Sequence, residues 1–392
     1  MLSEMGNGQG QLISSKSDIT TIIITDAALL EEYGRAWNEL ALAAPQQLPM
    51  LSYAWISSYF ETRLKGTDKW LCVMAIENEE LIGVLPLVAR DISYLGIQIK
   101  EFSTPFDWHT VSVDFLCKEG REEIIIHLLL NKLKETYTNW SIIKLNRIPD
   151  NSSTLKYLTS GRDDLVIHEY DGAGSYLTID SDIEKYKASL TPKTKSNLRK
   201  AKNHLARIPD ANFSLENQSN SAAEILEQLL KVEAAGWKGQ AGSAIKLTQS
   251  LNSFYARLVR KLAEEGWLEY DLLKTEGKLI AGSLTIKFNR SQIGLKITYD
   301  ENYKSCSPGF LIVEKIIDRA FASRGITELN FLSDSPWFSS WRPDSRQYYN
   351  IRIFSKKLLP RISSYLPYVV KNRIRKSAII KRIYGRFTPN KN

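Results

Sequence analysis

Between residues 267 and 332 the spacing of apolar side chains changes twice, and the changes predict a strand meander followed by a helix and one more strand. Positions 267–274 (WLEYDLLK), 279–288 (LIAGSLTIKF) and 292–299 (QIGLKITY) carry β-branched and aromatic residues in runs of strand length. Glu276-Gly277-Lys278 and Asn289-Arg290-Ser291 separate them with hairpin chemistry, so three antiparallel strands are expected. From Phe310 the period becomes helical: Phe310, Val313, Ile316, Ile317, Ala320 and Phe321 recur on one face, and Gly325 closes the run. Residues 327–332 then read as a buried strand. Ser307 stands where an N-cap is expected and Pro308 at the first helical position, where a missing amide costs nothing.

The same order recurs in the first half of the chain. Upstream of the meander a short strand (212–217) and two amphipathic helices (222–237 and 251–265) are expected, and a last strand at 348–355. In the first half the pattern predicts a strand at 20–25, helices at 28–43 and 55–64, and a hairpin of 70–77 with 81–90. A strand at 109–117, a helix at 121–137 and strands at 141–146, 166–170 and 175–179 follow. The fold expected is α/β (α+β), two tandem copies of one unit, each a mixed, mainly antiparallel sheet flanked by helices. The boundaries read as a disordered start (1–19), a first domain (20–180), a second domain (181–355) and a basic amphipathic tail (356–392).

Charge alters this picture at one place. The chain has 392 residues and a net charge of +8, but residues 356–392 hold eleven Lys or Arg and no acid, which leaves the remainder at −3. Leu366, Val369, Val370, Ile374, Ile380 and Ile383 interleave with those cations, a pattern suited to lying on an anionic membrane. No apolar run reaches membrane-spanning length and no export signal opens the chain, so a cytoplasmic protein is expected, peripheral at the inner face of the membrane. Nucleic acid is not an expected partner, because no stacking platform accompanies the charge. Cys72, Cys117 and Cys306 are odd in number and widely spaced, so neither a disulfide framework nor a metal site is expected.

Several short motifs, in order, carry a family resemblance: Trp37, Leu48-Pro49-Met50-Leu51-Ser52, Gly83-Val84-Leu85-Pro86-Leu87, and the run LTPKTKSNLRKAKNHL at 190–205. Gly236-Trp237-Lys238-Gly239, Leu279-Ile280-Ala281-Gly282, Tyr299-Asp300-Glu301-Asn302-Tyr303 and Ser307-Pro308-Gly309 continue it. With this element order the chain resembles the GNAT acyltransferase superfamily, in its double-domain branch. That branch includes Fem-type aminoacyltransferases and a group associated with bacterial cellulose and exopolysaccharide synthesis, and the second group is the nearer match. Two departures stand out. The loop 304–309 has one glycine and no arginine where many members have a Gly-rich, Arg-containing pyrophosphate loop, and Phe338 stands where members tend to carry a lysine.

The resemblance implies an acyl-CoA co-substrate, acetyl-CoA first, with no metal. Its pantetheine arm would lie between strands 292–299 and 327–332, its pyrophosphate on Lys304, Ser305, Ser307 and Gly309 at a helix start. Tyr299 and Asp300 stand at the mouth of that opening, Asp300 as base through a water and Tyr299 as proton donor. Trp237, Lys238, Asp334, Trp337 and Trp341, with Asp107 and His109 of the first half, are the candidate contacts for a sugar or glycan acceptor. The helix bearing Lys195, Arg199 and Lys202 either offers a solvated face or attracts an anion. The activity expected is transfer of an acyl group to an amine or hydroxyl of a sugar or lipid-linked saccharide. A Fem-like transferase using aminoacyl-tRNA and a non-catalytic scaffold of a polysaccharide-synthesis complex are the rival readings.

Overall fold

A computed structural model describes residues 19–94, 97–161, 165–180 and 182–376. Residues 1–18 of the expected disordered start and the far end of the tail, 377–392, lie outside the described residues, while Ile19 already belongs to the first strand. The first half runs β1 (Ile19–Ile24), α1 (Ala27–Glu32), α2 (Gly34–Ala43), α3 (Tyr53–Thr62), β2 (Lys69–Glu77), β3 (Glu80–Tyr94), β4 (Ile97–Ser103) and β5 (Leu116–Cys117). It closes with α4 (Glu122–Thr136), β6 (Trp140–Pro149), α5 (Ser153–Thr159) and β7 (Leu165–Thr178). The second half runs α6 (Ile183–Ser189), α7 (Pro192–Leu205), β8 (Asn212–Glu216), α8 (Ala222–Ala235), α9 (Trp237–Gln240), α10 (Gln249–Glu264), β9 (Leu268–Thr275), β10 (Lys278–Phe288) and β11 (Ser291–Tyr299). Then come α11 (Pro308–Ala322), β12 (Glu328–Asn330), β13 (Asp344–Phe354) and a last helix, Leu366–Lys376.

Strands of both halves form one sheet in the order β1-β2-β3-β4-β6-β13-β7-β12-β11-β10-β9-β8. The order is a palindrome of two equivalent halves with the final strands exchanged. Strand β13 pairs antiparallel with β6 of the first half, from Tyr348↔Pro149 to Phe354↔Ile142, while β7 pairs antiparallel with β12 of the second. The two exchanged strands pair with each other over their full length, from Asp344↔Tyr176 to Phe354↔Leu165. Each half therefore keeps the expected mixed sheet, but neither is closed without a strand from the other.

Helices cover both faces. On one face α2, α3, α8 and α10 build a core continuous across the halves, where Trp55 meets Phe254 edge to face at 5.8 Å. Burying a side chain such as Phe254 contributes roughly 1.5–3 kcal/mol. The opposite face carries α4 over the first half and α11 over the second, each with its own apolar cluster.

Three expectations need correction. The third meander strand of the first half is β4 at Ile97–Ser103, whereas 109–117 contributes only β5. Glu101 in β4 is buried beside Arg90 and Lys144, so its charge hides a strand that is otherwise apolar on alternate positions. The helix expected at 28–43 is split at Tyr33, and a Cβ on the following Gly34 would lie 2.8 Å from the Tyr53 ring. The two short strands expected between 166 and 179 are one strand, β7.

Candidate active site

Strands β11 and β12 run parallel and pair only at Ser291↔Glu328, Gln292↔Leu329 and Ile293↔Asn330. Beyond Ile293 they part, and Phe331 packs against Gly294, 3.6 Å from where a Cβ would stand, at the base of the split. Residues 294–299 of β11 thus leave the side toward β12 to other groups.

A cleft of about 500 Å³ opens at the end of β11. Tyr299, Lys304, Ser305, Ser307, Gly309 and Trp337, all named from sequence, line it together. The backbone explains their convergence. Asp300 opens a 3-10 turn over Glu301–Cys306, and Ser307, in the left-handed region at φ 48°, swings the chain into α11. Ser307 does not cap with its side chain, contrary to expectation: its carbonyl accepts from the Phe310 and Leu311 amides at 3.0 and 3.3 Å, and its hydroxyl lies on the cleft wall. Gly309 lets the chain pass close to two rings: a Cβ there would sit 3.2 Å from the Tyr299 ring and 3.5 Å from Trp337. The first turn of α11 contains no acid, so its positive end faces the cleft uncompensated.

Helix α7 forms the opposite wall through Asn197, Lys200 and His204, none of which was named from sequence. Their i, i+3, i+7 spacing marks a single face, but only docking of α7 reveals what that face meets. His204 Nδ1 lies 2.8 Å from the Ser305 carbonyl, which can only accept, so that nitrogen carries the proton and ties α7 to the loop. Lys195, Arg199 and Lys202 line a different groove, where Lys202 pairs with Glu314 at 2.7 Å.

The two residues expected to do chemistry differ in freedom. Tyr299 is pushed above its ordinary pKa by burial and by Glu301, so its hydroxyl stays protonated. The Asp300 carboxylate is engaged: Oδ1 accepts from the Asn302 amide at 3.0 Å and Oδ2 pairs with Lys278 at 3.0 Å. Burial opposes its charge, yet those partners hold it below the usual carboxylate range. With both oxygens engaged, Asp300 serves as the anchor of the turn. Cys306 is buried, donates to the Tyr303 carbonyl, and has its thiol pushed up by burial.

Asp334, Trp337 and Trp341, expected as one pocket wall, separate. Trp337 is 42% exposed and lines the cleft, whereas Trp341 is 1% exposed, its ring tilted against Phe310 in the core with centres 4.5 Å apart. Asp334 lines another cavity, with His109. Phe338 is buried against Phe331 at 4.3 Å, so this position serves packing. Asp107 is consumed by its own loop and by Arg63: Oδ1 accepts from the His109 and Thr110 amides and Oδ2 pairs with Arg63 at 2.8 Å. The side chains of Trp237 and Lys238 lie outside the described residues; their backbone forms α9, where a Cβ on Gly239 would meet the Ala234 carbonyl at 1.7 Å.

Comparison with known proteins accords with this geometry. Residues 192–339 match the family model of an acetyltransferase (GNAT) domain, the segment that holds the cleft. Residues 192–339 are thus similar to a GNAT acetyltransferase domain. Among solved structures, FemX aligns with 88% of this chain and 99% of its own at a TM-score of 0.56 and 14% identity. The C-terminal domain of a putative lysylphosphatidylglycerol synthetase from Agrobacterium fabrum aligns with 84% of this chain and 94% of its own, at 0.52 and 9%. A conserved protein of unknown function from Bacteroides thetaiotaomicron aligns with 86% and 100%, at 0.53 and 13%. At such identities the likeness is one of fold. No curated protein sequence matches the chain significantly. Among the described residues no cluster of three metal-ligating side chains occurs, and no helix is long and apolar enough to cross a membrane.

Proposed function

We propose that the chain transfers an acyl group, acetyl from acetyl-CoA, to an amino or hydroxyl group of a sugar or lipid-linked saccharide in cell-envelope or exopolysaccharide synthesis. The observation that carries the reading is the cleft where β11 leaves β12. It offers a helix start, Lys304 and Lys200 for a pyrophosphate, and an unpaired strand edge for the pantetheine amides. Holding donor and acceptor in register converts their encounter into an intramolecular step. Tyr299 protonates the departing thiolate, and Asp300 fixes the turn that positions it.

Titration calorimetry tests the donor. Acetyl-CoA binding is expected, and Tyr299→Phe should lower turnover at least tenfold while leaving affinity within threefold. Binding of uncharged tRNA with no binding of acetyl-CoA would move the chain to the aminoacyl-tRNA reading, and binding of neither would favour a scaffold.

A cytoplasmic location at the inner face of the membrane belongs to the same proposal. Leu358 and Leu359 are 72% and 63% exposed at the start of the tail, beside Lys357 and Arg361, while Tyr365 and Tyr368 pack on Phe354 and hold the segment to the sheet. Leu359→Asp with Ile362→Asp should release the protein from vesicles containing phosphatidylglycerol; undiminished cosedimentation would remove the membrane from the proposal.

A further inference from the structure

A second cavity, about 230 Å³, borders the same split strand at the seam between the halves. Trp108, His109 and Arg147 of the first half and Tyr255, Lys296 and Asp334 of the second are among its walls. Two of its wall residues hold strained backbone: Arg147 at φ 51° lies within β6 where its pairing with β13 shifts register, and Leu332 at φ 62° follows β12. The Arg147 guanidinium is buried beneath the Tyr348 ring and paired with Asp171 at 3.2 Å, yet its Nε has no hydrogen-bond partner among the described residues. A buried donor without a partner marks this stretch of the cavity wall as polar and incompletely satisfied. Trp108 is 76% exposed at this cavity, an uncovered aromatic face of the kind that sugar rings stack on.

His109 is the one imidazole here, and it is held. Asp107 fixes its backbone amide at 2.8 Å, and Nδ1 stands 2.9 Å from the Tyr255 hydroxyl, whose ring meets the imidazole edge to face at 5.6 Å. Its Nε2 has no partner among the described residues. The charged and titratable groups around it come from every neighbouring element: Lys296 on β11, Tyr255 on α10, Glu233 on α8, and Arg63 with Asp107. Burial first, then Lys296, lowers its pKa to about 4, so the ring is neutral at pH 7. Burial keeps the Tyr255 hydroxyl protonated, and that hydroxyl can accept from Nδ1–H, which leaves the Nε2 lone pair as the basic atom.

We infer that this seam cavity seats the acceptor, an amino sugar bearing an anionic group, and that His109 is the base that deprotonates its amine. The inference rests on the acyl-transfer reading above. The acceptor nitrogen bonds to the thioester carbon as the carbon–sulfur bond breaks. The displaced amine proton passes to His109 Nε2 and on to solvent, and the thiolate takes the Tyr299 proton, which solvent replaces. Arg147 and Lys296 read the anionic group, and Trp108 carries the ring.

The test uses the full chain. Acetyl-CoA is titrated first; Trp108→Ala and His109→Gln should bind it within threefold of the parent. Glucosamine 1-phosphate, muramic acid and neutral glucosamine are then titrated in the presence of CoA. Binding of one or both anionic sugars at least tenfold tighter than glucosamine is expected, and which of them binds separates phosphate from carboxylate. Trp108→Ala should weaken that binding at least tenfold. His109→Gln should bind the sugar within threefold but release thiol from acetyl-CoA at least 100-fold more slowly. The assignment falls if neither anionic sugar binds, if glucosamine binds equally well, or if Trp108→Ala binds as the parent does. The base role falls if the bound sugar elicits no thiol release or if His109→Gln turns over normally. Loss of acetyl-CoA binding alone, with sugar binding intact, overturns the donor reading and leaves the acceptor cavity standing.

Discussion

Helices α4 and α11 hold equivalent places in the two halves and are both 15 residues long, yet they begin differently, and α11 starts at the open cleft. Helix α4 starts Glu122-Glu123, and the preceding Arg121 is turned back onto Glu77 by two bonds of 3.1 and 3.2 Å. Two carboxylates in the first turn already satisfy the positive end of that helix and repel a phosphate. Helix α11 starts Pro308-Gly309 without an acid, faces Lys304, and receives Lys200 from α7. The lower halves differ in the opposite sense. α4 is held to its sheet by Ile125, Ile126, Leu129, Leu130 and Leu133, while α11 adds Arg319, which pairs with Glu269 at 3.0 Å and with Asp271 and donates to Thr285 at 2.8 Å. A duplicated architecture thus need not repeat its local chemistry: the first turns of the equivalent helices differ in charge, with two acids in α4 and none in α11.

This contrast can be broken at several points. Arg319→Met leaves Glu269 and Asp271 without their cation and should cost about 3–5 kcal/mol in chemical denaturation. At the seam, His109 has a folded pKa near 4 against 6.5 in an open chain, so the unfolded state takes the proton first. Stability should be level above pH 6.5 and fall by roughly 3 kcal/mol as the pH drops to about 4, and His109→Gln should flatten that slope. Gly309→Val drives a branched side chain against Tyr299 and Trp337 and should weaken acetyl-CoA binding about 100-fold, or about 2.7 kcal/mol, by calorimetry. Lys200→Ala should weaken it about tenfold, and Glu122→Gln in the other half should leave it unchanged.

Much of the second half is legible from local pattern, because β9, β10, β11 and α11 each announce themselves by period and by turn residues. The convergence of Tyr299, Lys304, Ser307 and Gly309 follows from the same stretch of chain and could be anticipated. Lys200 and His204 could not, since their role depends on where α7 docks, and periodicity records only a face. β4 was hidden by Lys100 and Glu101, charges that the sheet accommodates through pairing. Trp341 illustrates the reverse error, an aromatic near polar neighbours that the packing of α11 draws into the core. The exchange of β7 and β13 leaves no local trace at all, because pairing between strands so far apart in the chain is a property of register and not of composition.

That exchange has a bearing on how the protein is made. While a nascent chain has emerged only as far as β7, the edge of β6 that will receive Tyr348 to Phe354 has no final partner, and it stays a sticky template throughout synthesis of the second half. Synthesis must reach β13 before either copy is complete, so a chain cut short of it would leave that edge open in place of forming a smaller closed domain.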